Sequence, residues 1–254
     1  MATVVSHTRT NPWLGGHKLN PDASLRLICF PYAGGSSRIY HEWQKGFPAN
    51  IEVCALQLPG RGARVNEPPF SNVHELVRAA IDDLLPIIDR PYALFGHSMG
   101  ALIAFEFAHS LREQTGREAR HLFVSSRRAP HLPSDRMTYN LPSAEFLAAL
   151  SELKGTPREV LEHPELMELF MPLLRADFQL IQTYEYVPRA PLNCPLTVIG
   201  ASHDDEVTDE KLSAWHGYTT GEFSLKIVPG DHFFINTSRP QLLDLLAKTL
   251  ATAK

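Results

Sequence analysis

The apolar residues of this chain follow two spacings in turn. Six short apolar runs, at 25–30, 51–56, 92–95, 121–126, 195–199 and 223–228, are bounded by glycine, proline or polar residues. Runs of this length without polar alternation predict strands covered on both faces. Between them the apolar residues return at helical spacing. A helix is predicted over 39–47, and a longer one over 72–89 on Val73, Leu76, Val77, Ala80, Leu84, Leu85 and Ile88. Another follows from Leu102 on Ile103, Phe105, Phe107 and Leu111, with Glu106 turned outward, and a last one covers 239–251. Strands alternating with helices in this way build a parallel sheet with helices on both faces. Residues 1–24 read as a loose arm anchored by Trp13 and Leu14.

One interval breaks the alternation. Roughly seventy residues separate the fourth and fifth strands, far more than a single crossover helix needs, so the chain reads as one domain over 1–254 with a helical insertion at about 130–190. Helices are predicted there at 143–153, 157–163 and 164–187. The second opens on the capping box Thr156-Pro157-Arg158-Glu159. The third is apolar around much of its circumference and carries Pro172, where a kink is expected. Such a helix either packs on the sheet edge or roofs a cleft as a lid, with Leu166, Leu169, Phe170, Met171, Leu173 and Phe178 lining a channel.

Composition narrows the function classes. The 254 residues are 44% hydrophobic and 20% charged with a net charge of −4, which suits a soluble globular protein and supplies no basic face for nucleic acid. The N-terminal residues carry no signal-peptide pattern and no stretch reaches the ~18 apolar residues of a membrane span, so a cytoplasmic location is expected. Cys29, Cys54 and Cys194 are odd in number and lie in or beside strand-like runs. They read as buried thiols, without a disulfide framework or metal site.

The candidate chemistry begins at Gly96-His97-Ser98-Met99-Gly100, the G-x-S-x-G pattern of a nucleophile elbow between a strand and a helix. Ser98 there sits at a helix N-terminus, where backbone N–H groups favour developing negative charge. The loop after the first strand, residues 31–37, lacks a P-loop ending; in an α/β-hydrolase it donates one N–H to the oxyanion hole, and Ala33 is the candidate. Loop 58–64 has G-x-G without the third glycine of a dinucleotide site, and Arg61 and Arg64 read first as solvated charges, with an anionic partner as the alternative. The polar loop 200–207 follows the fifth strand. It could hold a metal through His203, Asp204 and Asp205, but no supporting cluster stands at a suitable spacing. It could equally supply the acid of a triad, and Asp204 is preferred to Asp205 because Val207 would seat the loop beyond it. His232 lies directly after the last strand. The order Ser98, Asp204, His232 is that of the α/β-hydrolase triad.

Taken together, FPYAGGS (30–36), LPGRGAR (58–64), GHSMGALIAFE (96–106), SSRRAPHLP (125–133), LRADFQLIQTYEY (174–186) and GDHFFI (230–235) make the chain resemble the type II thioesterases that accompany polyketide synthases and nonribosomal peptide synthetases. It departs from their pattern in GASHDDEV, where a second glycine and a proline are common, and in RGAR, where an acidic residue is common. The resemblance implies an α/β-hydrolase fold with a helical lid and a substrate that is an acyl thioester on the phosphopantetheine arm of a carrier protein. Hydrolysis would free stalled synthases. It implies Ser98, His232 and Asp204 as catalytic residues and the Ala33 and Met99 N–H groups as the oxyanion hole. No metal and no cofactor of the enzyme's own are expected, and a monomer is. Arg127, Arg128, Arg158 and Arg189 are candidates to meet an acidic carrier. Two other readings are an oxyester hydrolase of carboxylesterase or lipase type, and a non-catalytic accessory protein that docks carrier domains.

Overall fold

The computed structural model describes residues 11–153 and 163–252. Six parallel strands form one sheet in the order β2-β1-β3-β4-β5-β6. They are β1 (Leu25–Phe30), β2 (Ile51–Ala55), β3 (Tyr92–His97), β4 (His121–Ser125), β5 (Leu196–Ala201) and β6 (Phe223–Val228). From β1 to β4 all but Ala55 are buried, because helices cover both faces of the sheet and leave no wet face to demand polar alternation. At the edge, β6 is only partly covered and leaves Ile227 exposed. The chain leaves β1 for β2 on one side and returns to β3 on the other, so the strand order reverses there. Open sheets of this kind gather functional groups in the crevice at such a reversal, outside the carboxyl ends of the strands.

One core lies under α1 (Val73–Leu84) and α2 (Met99–Thr115) and takes in Trp13 and Leu14 of the N-terminal arm. The opposite core holds Tyr40, Trp43, Phe95, Phe234 and the leucines of the C-terminal helix at Arg239–Thr252. The Asn72 side chain caps α1 by accepting from the His74 and Glu75 N–H groups. The helix predicted to reach 89 stops at Leu84 and tightens into a 3₁₀ turn, since Pro86 has no N–H to continue the ladder. The helix predicted over 39–47 is instead two 3₁₀ turns, Ser37–Tyr40 and Trp43–Gly46. Within these two turns Tyr40 and Trp43, three residues apart, reach the core, Phe47 joins them just beyond, and the Gln44 side chain bonds the backbone of Ile51 and Val53 in β2.

The insertion contains α3 (Ser143–Glu152) and α4 (Pro164–Gln182). The predicted helix at 157–163 and its capping box fall outside the described residues, apart from His163, which precedes α4. Helix α4 continues through Pro172 and ends five residues short of the predicted 187, with Thr183 as its C-cap. It buries Met167, Leu173, Leu174, Asp177 and Leu180, while Leu166, Leu169 and Phe170 are exposed and are not among the residues lining the cavity at Ser98. Met171 packs against the cluster of Phe146, Leu150, Met167 and Leu174, Leu173 lies against Gly60, and neither is among the residues lining the cavity at Ser98. Glu106, expected to turn outward, is buried, because Tyr184 donates to it at 2.6 Å and Arg189 pairs with it at 2.5 Å. Among the described residues no helix is long and apolar enough to cross a membrane.

Candidate active site

The turn from β3 into α2 is forced by its glycines. A Cβ on Gly96 would stand 2.1 Å from the Gly100 carbonyl oxygen, and one on Gly100 would stand 2.0 Å from that of Phe30. With both absent, helix and strand close around Ser98, which is held at φ 53° and ψ −114°. L residues avoid this region, and the conformation is over-determined by its neighbours: the Ser98 N–H donates to Ser125 O at 2.8 Å. Ser98 opens into a cavity of about 370 Å³, shared with Ala33 and His232 and roofed by Leu174, Phe178 and Ile181 of α4. Met99 is the first residue of α2, so its N–H has no intrahelical acceptor. Ala33 lies in the turn closed by the Gly35 N–H to Tyr32 O bond.

His232 is brought to this cavity by the loop after β6. Its Nδ1 lies 3.0 and 3.2 Å from the Asp204 carboxylate oxygens. A carboxylate can only accept, so Nδ1 carries the proton and Nε2 is left as the basic nitrogen. Asp204 itself is fixed by the loop after β5, whose Glu206 and Val207 N–H groups donate to its Oδ1 at 3.0 and 3.2 Å. Burial disfavours the ionised Asp204 carboxyl. The His232 hydrogen bond and charge, the nearby Ser126 hydroxyl and the Glu206 N–H outweigh it, and hold the carboxyl below its ordinary pKa. For His232 burial disfavours the imidazolium, but Asp204, Glu206 and Asp231 more than compensate and raise the pKa. Asp205, one residue on, is exposed and lines the same cavity, but the hydrogen bonds of the His232 ring to a carboxylate go to Asp204.

Three supporting residues escaped the sequence reading. His97 is fully buried beside His232 with its Nδ1 2.8 Å from Ser125 Oγ, and burial, aided by the charge of His232, pushes its pKa down to about 3. It is a neutral packing partner. Ser126 stands at a left-handed φ of 43° below Asp204. Asp177 reaches from α4 to accept from the Gly34 N–H at 2.7 Å, which ties the lid helix to the loop carrying Ala33. Arg61 donates to both Asp177 oxygens at 2.8 Å and is buried, so it is neither a solvated charge nor free for an anionic partner. Only a contact between residues far apart in sequence reveals this role.

Of the four arginines that are candidates to meet an acidic carrier, the three among the described residues are buried or paired. Arg127 is buried inside the cavity. Arg128 is mostly buried and 3.5 Å from Asp135, and Arg189 is bound to Glu106. Arg158 lies outside the described residues.

A parallel sheet with its nucleophile turn at the strand reversal, and a histidine and carboxylate on later loops, defines an α/β-hydrolase. The chain belongs to the thioesterase domain family, which it matches over residues 25–250. It is 43% identical over 249 residues to the Brevibacillus parabrevis protein named linear gramicidin dehydrogenase LgrE, covering 96% of this chain and 95% of that one. The structure of RedJ, a thioesterase from the prodiginine biosynthetic pathway in Streptomyces coelicolor, superposes with a TM-score of 0.84 at 38% identity, over 98% of this chain and 96% of that one. YbtT, a type II thioesterase from the yersiniabactin NRPS/PKS pathway, gives 0.82 at 31% identity, over 91% and 95%.

Proposed function

We propose that this protein is an editing thioesterase, which hydrolyses acyl groups from the phosphopantetheine arm of carrier-protein domains in polyketide or nonribosomal peptide assembly. The observation that carries the reading is the Asp204–His232 pair opening on the same lidded cavity as the strained Ser98. Ser98 Oγ attacks the thioester carbonyl while His232 Nε2 takes its proton, and Asp204 holds the imidazole in the required tautomer. The tetrahedral oxyanion rests on the Ala33 and Met99 N–H groups. Collapse expels the pantetheine thiolate, a good leaving group, and leaves an acyl ester on Ser98. Water, deprotonated by His232, then releases the acid and restores the serine.

The dehydrogenase activity in the name of the Brevibacillus relative finds no support in the Gly60 and Gly62 loop, which lacks the third glycine of a dinucleotide turn. An oxyester substrate would use the same three residues, so the substrates separate the readings. We expect an acyl carrier-protein thioester to be hydrolysed far faster than a matched oxyester, and Ser98→Ala to lower turnover by roughly four to six orders of magnitude. More than a few per cent of activity left in that variant would overturn the mechanism. Failure of a fluorophosphonate to label the wild-type protein would favour a non-catalytic docking protein.

A further inference from the structure

Arg127 is an anomaly inside the cavity. It is 8% exposed and lines the same space as Ser98 and His232, yet among the described residues its guanidinium has no hydrogen-bond or ion-pair partner. Its neighbour Arg128 has Asp135, and the cavity's other fixed cations are paired as well, Lys211 with Asp135 and Arg136 with Glu152. Burial pushes the Arg127 pKa down to about 9, and the like charge of Arg128 adds to this against the influence of Tyr184; the group still carries its charge at neutral pH. An unpaired buried cation is costly unless something that enters the site supplies its acceptor.

The backbone places that acceptor. Ser125 O receives the nucleophile's N–H, and Arg127 follows two residues later, at most about 7 Å along an extended chain. The phosphate of a pantetheine arm is esterified to the carrier protein and has to stay at the mouth, where Asp135 and Arg136 are exposed. What reaches the buried interior beside Ser98 is the acyl group. The same cavity is lined by Leu150, Leu174, Phe178 and Ile181, which offer apolar surface suited to methylenes.

We propose that Arg127 is an acyl-recognition residue, which selects thioesters whose acyl group carries an acceptor oxygen (a ketone, amide carbonyl or carboxylate) a few bonds beyond the thioester carbon. This rests on the thioesterase reading above. The guanidinium presents a fork of N–H donors that a plain alkyl chain leaves unmet, and a site built around buried donors discriminates against a ligand lacking the acceptor.

The test compares kcat/KM for octanoyl and 3-oxooctanoyl thioesters of N-acetylcysteamine and of ethanethiol, each divided by its rate of hydroxide hydrolysis to remove intrinsic reactivity. The wild-type protein should favour the 3-oxo group roughly 10- to 100-fold with either thiol, the worth of one charge-assisted hydrogen bond. In Arg127→Met the ratio should approach one, and Arg127→Lys should restore part of it. Equal corrected rates in the wild-type protein would overturn the proposal, and this measurement needs no variant to fold. So would an unchanged ratio in Arg127→Met, or a loss that follows N-acetylcysteamine whatever the acyl group, which would assign the guanidinium to the arm's amide. If the wild-type protein hydrolysed none of these thioesters or their carrier-bound forms, the thioesterase reading itself would fall.

Discussion

Asp177 and Arg61 form a two-pronged ion pair with both side chains buried, and the same Asp177 oxygen that accepts from Arg61 Nη1 also accepts from the Gly34 N–H. The lid helix and the loop carrying Ala33 are therefore held by one carboxylate. Removing it would strand a buried guanidinium and free Gly34. Asp177→Ala should cost about 3–5 kcal/mol in urea unfolding, because the orphaned Arg61 stays buried. Arg61→Met together with Asp177→Leu should recover part of that stability, and turnover should stay low in the double variant because Gly34 is still untethered. Full activity in the double variant would show that the tether does not shape the site.

In the proposed mechanism Asp204 is the acid because it is the carboxylate bonded to His232. Asp204→Asn keeps the shape but can present an amide N–H to Nδ1, which favours the wrong tautomer; the expected loss in kcat is about 10⁴-fold. Asp205→Asn should cost far less, as Asp205 is exposed and the ring's carboxylate hydrogen bonds go to Asp204. Single-turnover acylation of both variants, with the reverse ranking, would move the acid by one residue.

The pH dependence follows from the raised His232 pKa. The base works only when neutral, so kcat/KM should rise with pH through an acid limb lying above the ordinary histidine value of about 6.5. The Glu206 carboxylate is 4.0 Å from His232 Nδ1 and favours the imidazolium. Glu206→Gln should shift the limb to lower pH. A limb that does not move would remove Glu206 from the electrostatics of the base.

Gly100→Ala would place a methyl group 2.0 Å from the Phe30 carbonyl oxygen, a backbone atom that cannot swing aside. The expected cost is about 3 kcal/mol or more, with loss of the Ser98 geometry. Thermal unfolding and fluorophosphonate labelling would read the two effects separately.

What the sequence disclosed depended on the range of the interaction. The strands at 25–30 and 223–228 match the sheet residue for residue, because a local apolar run suffices to define a strand, although the second is only partly covered at the sheet edge. The G-x-S-x-G turn was legible for the same reason, and Asp204 stands against His232 because the loops after adjacent strands β5 and β6 meet. The lid was harder. A helix apolar on several sides does not disclose which side is covered, and Leu166, Leu169 and Phe170 proved to be on the wet one while Phe178 faces the cavity. Buried charges were harder still: Arg61 and Glu106 look like surface residues until Asp177, Tyr184 and Arg189, distant in sequence, arrive to satisfy them.

All three cysteines are reduced and buried, with thiol pKa values raised chiefly by burial, to about 12 for Cys54 and Cys194. A catalyst that liberates a thiol at every turnover thus exposes no sulfur nucleophile of its own. The acyl group has no competing thiol on the protein to migrate to, and the freed arm finds no partner there for a mixed disulfide. Released thiol can accordingly be titrated with a chromogenic disulfide during turnover, with the native enzyme adding nothing to the colour.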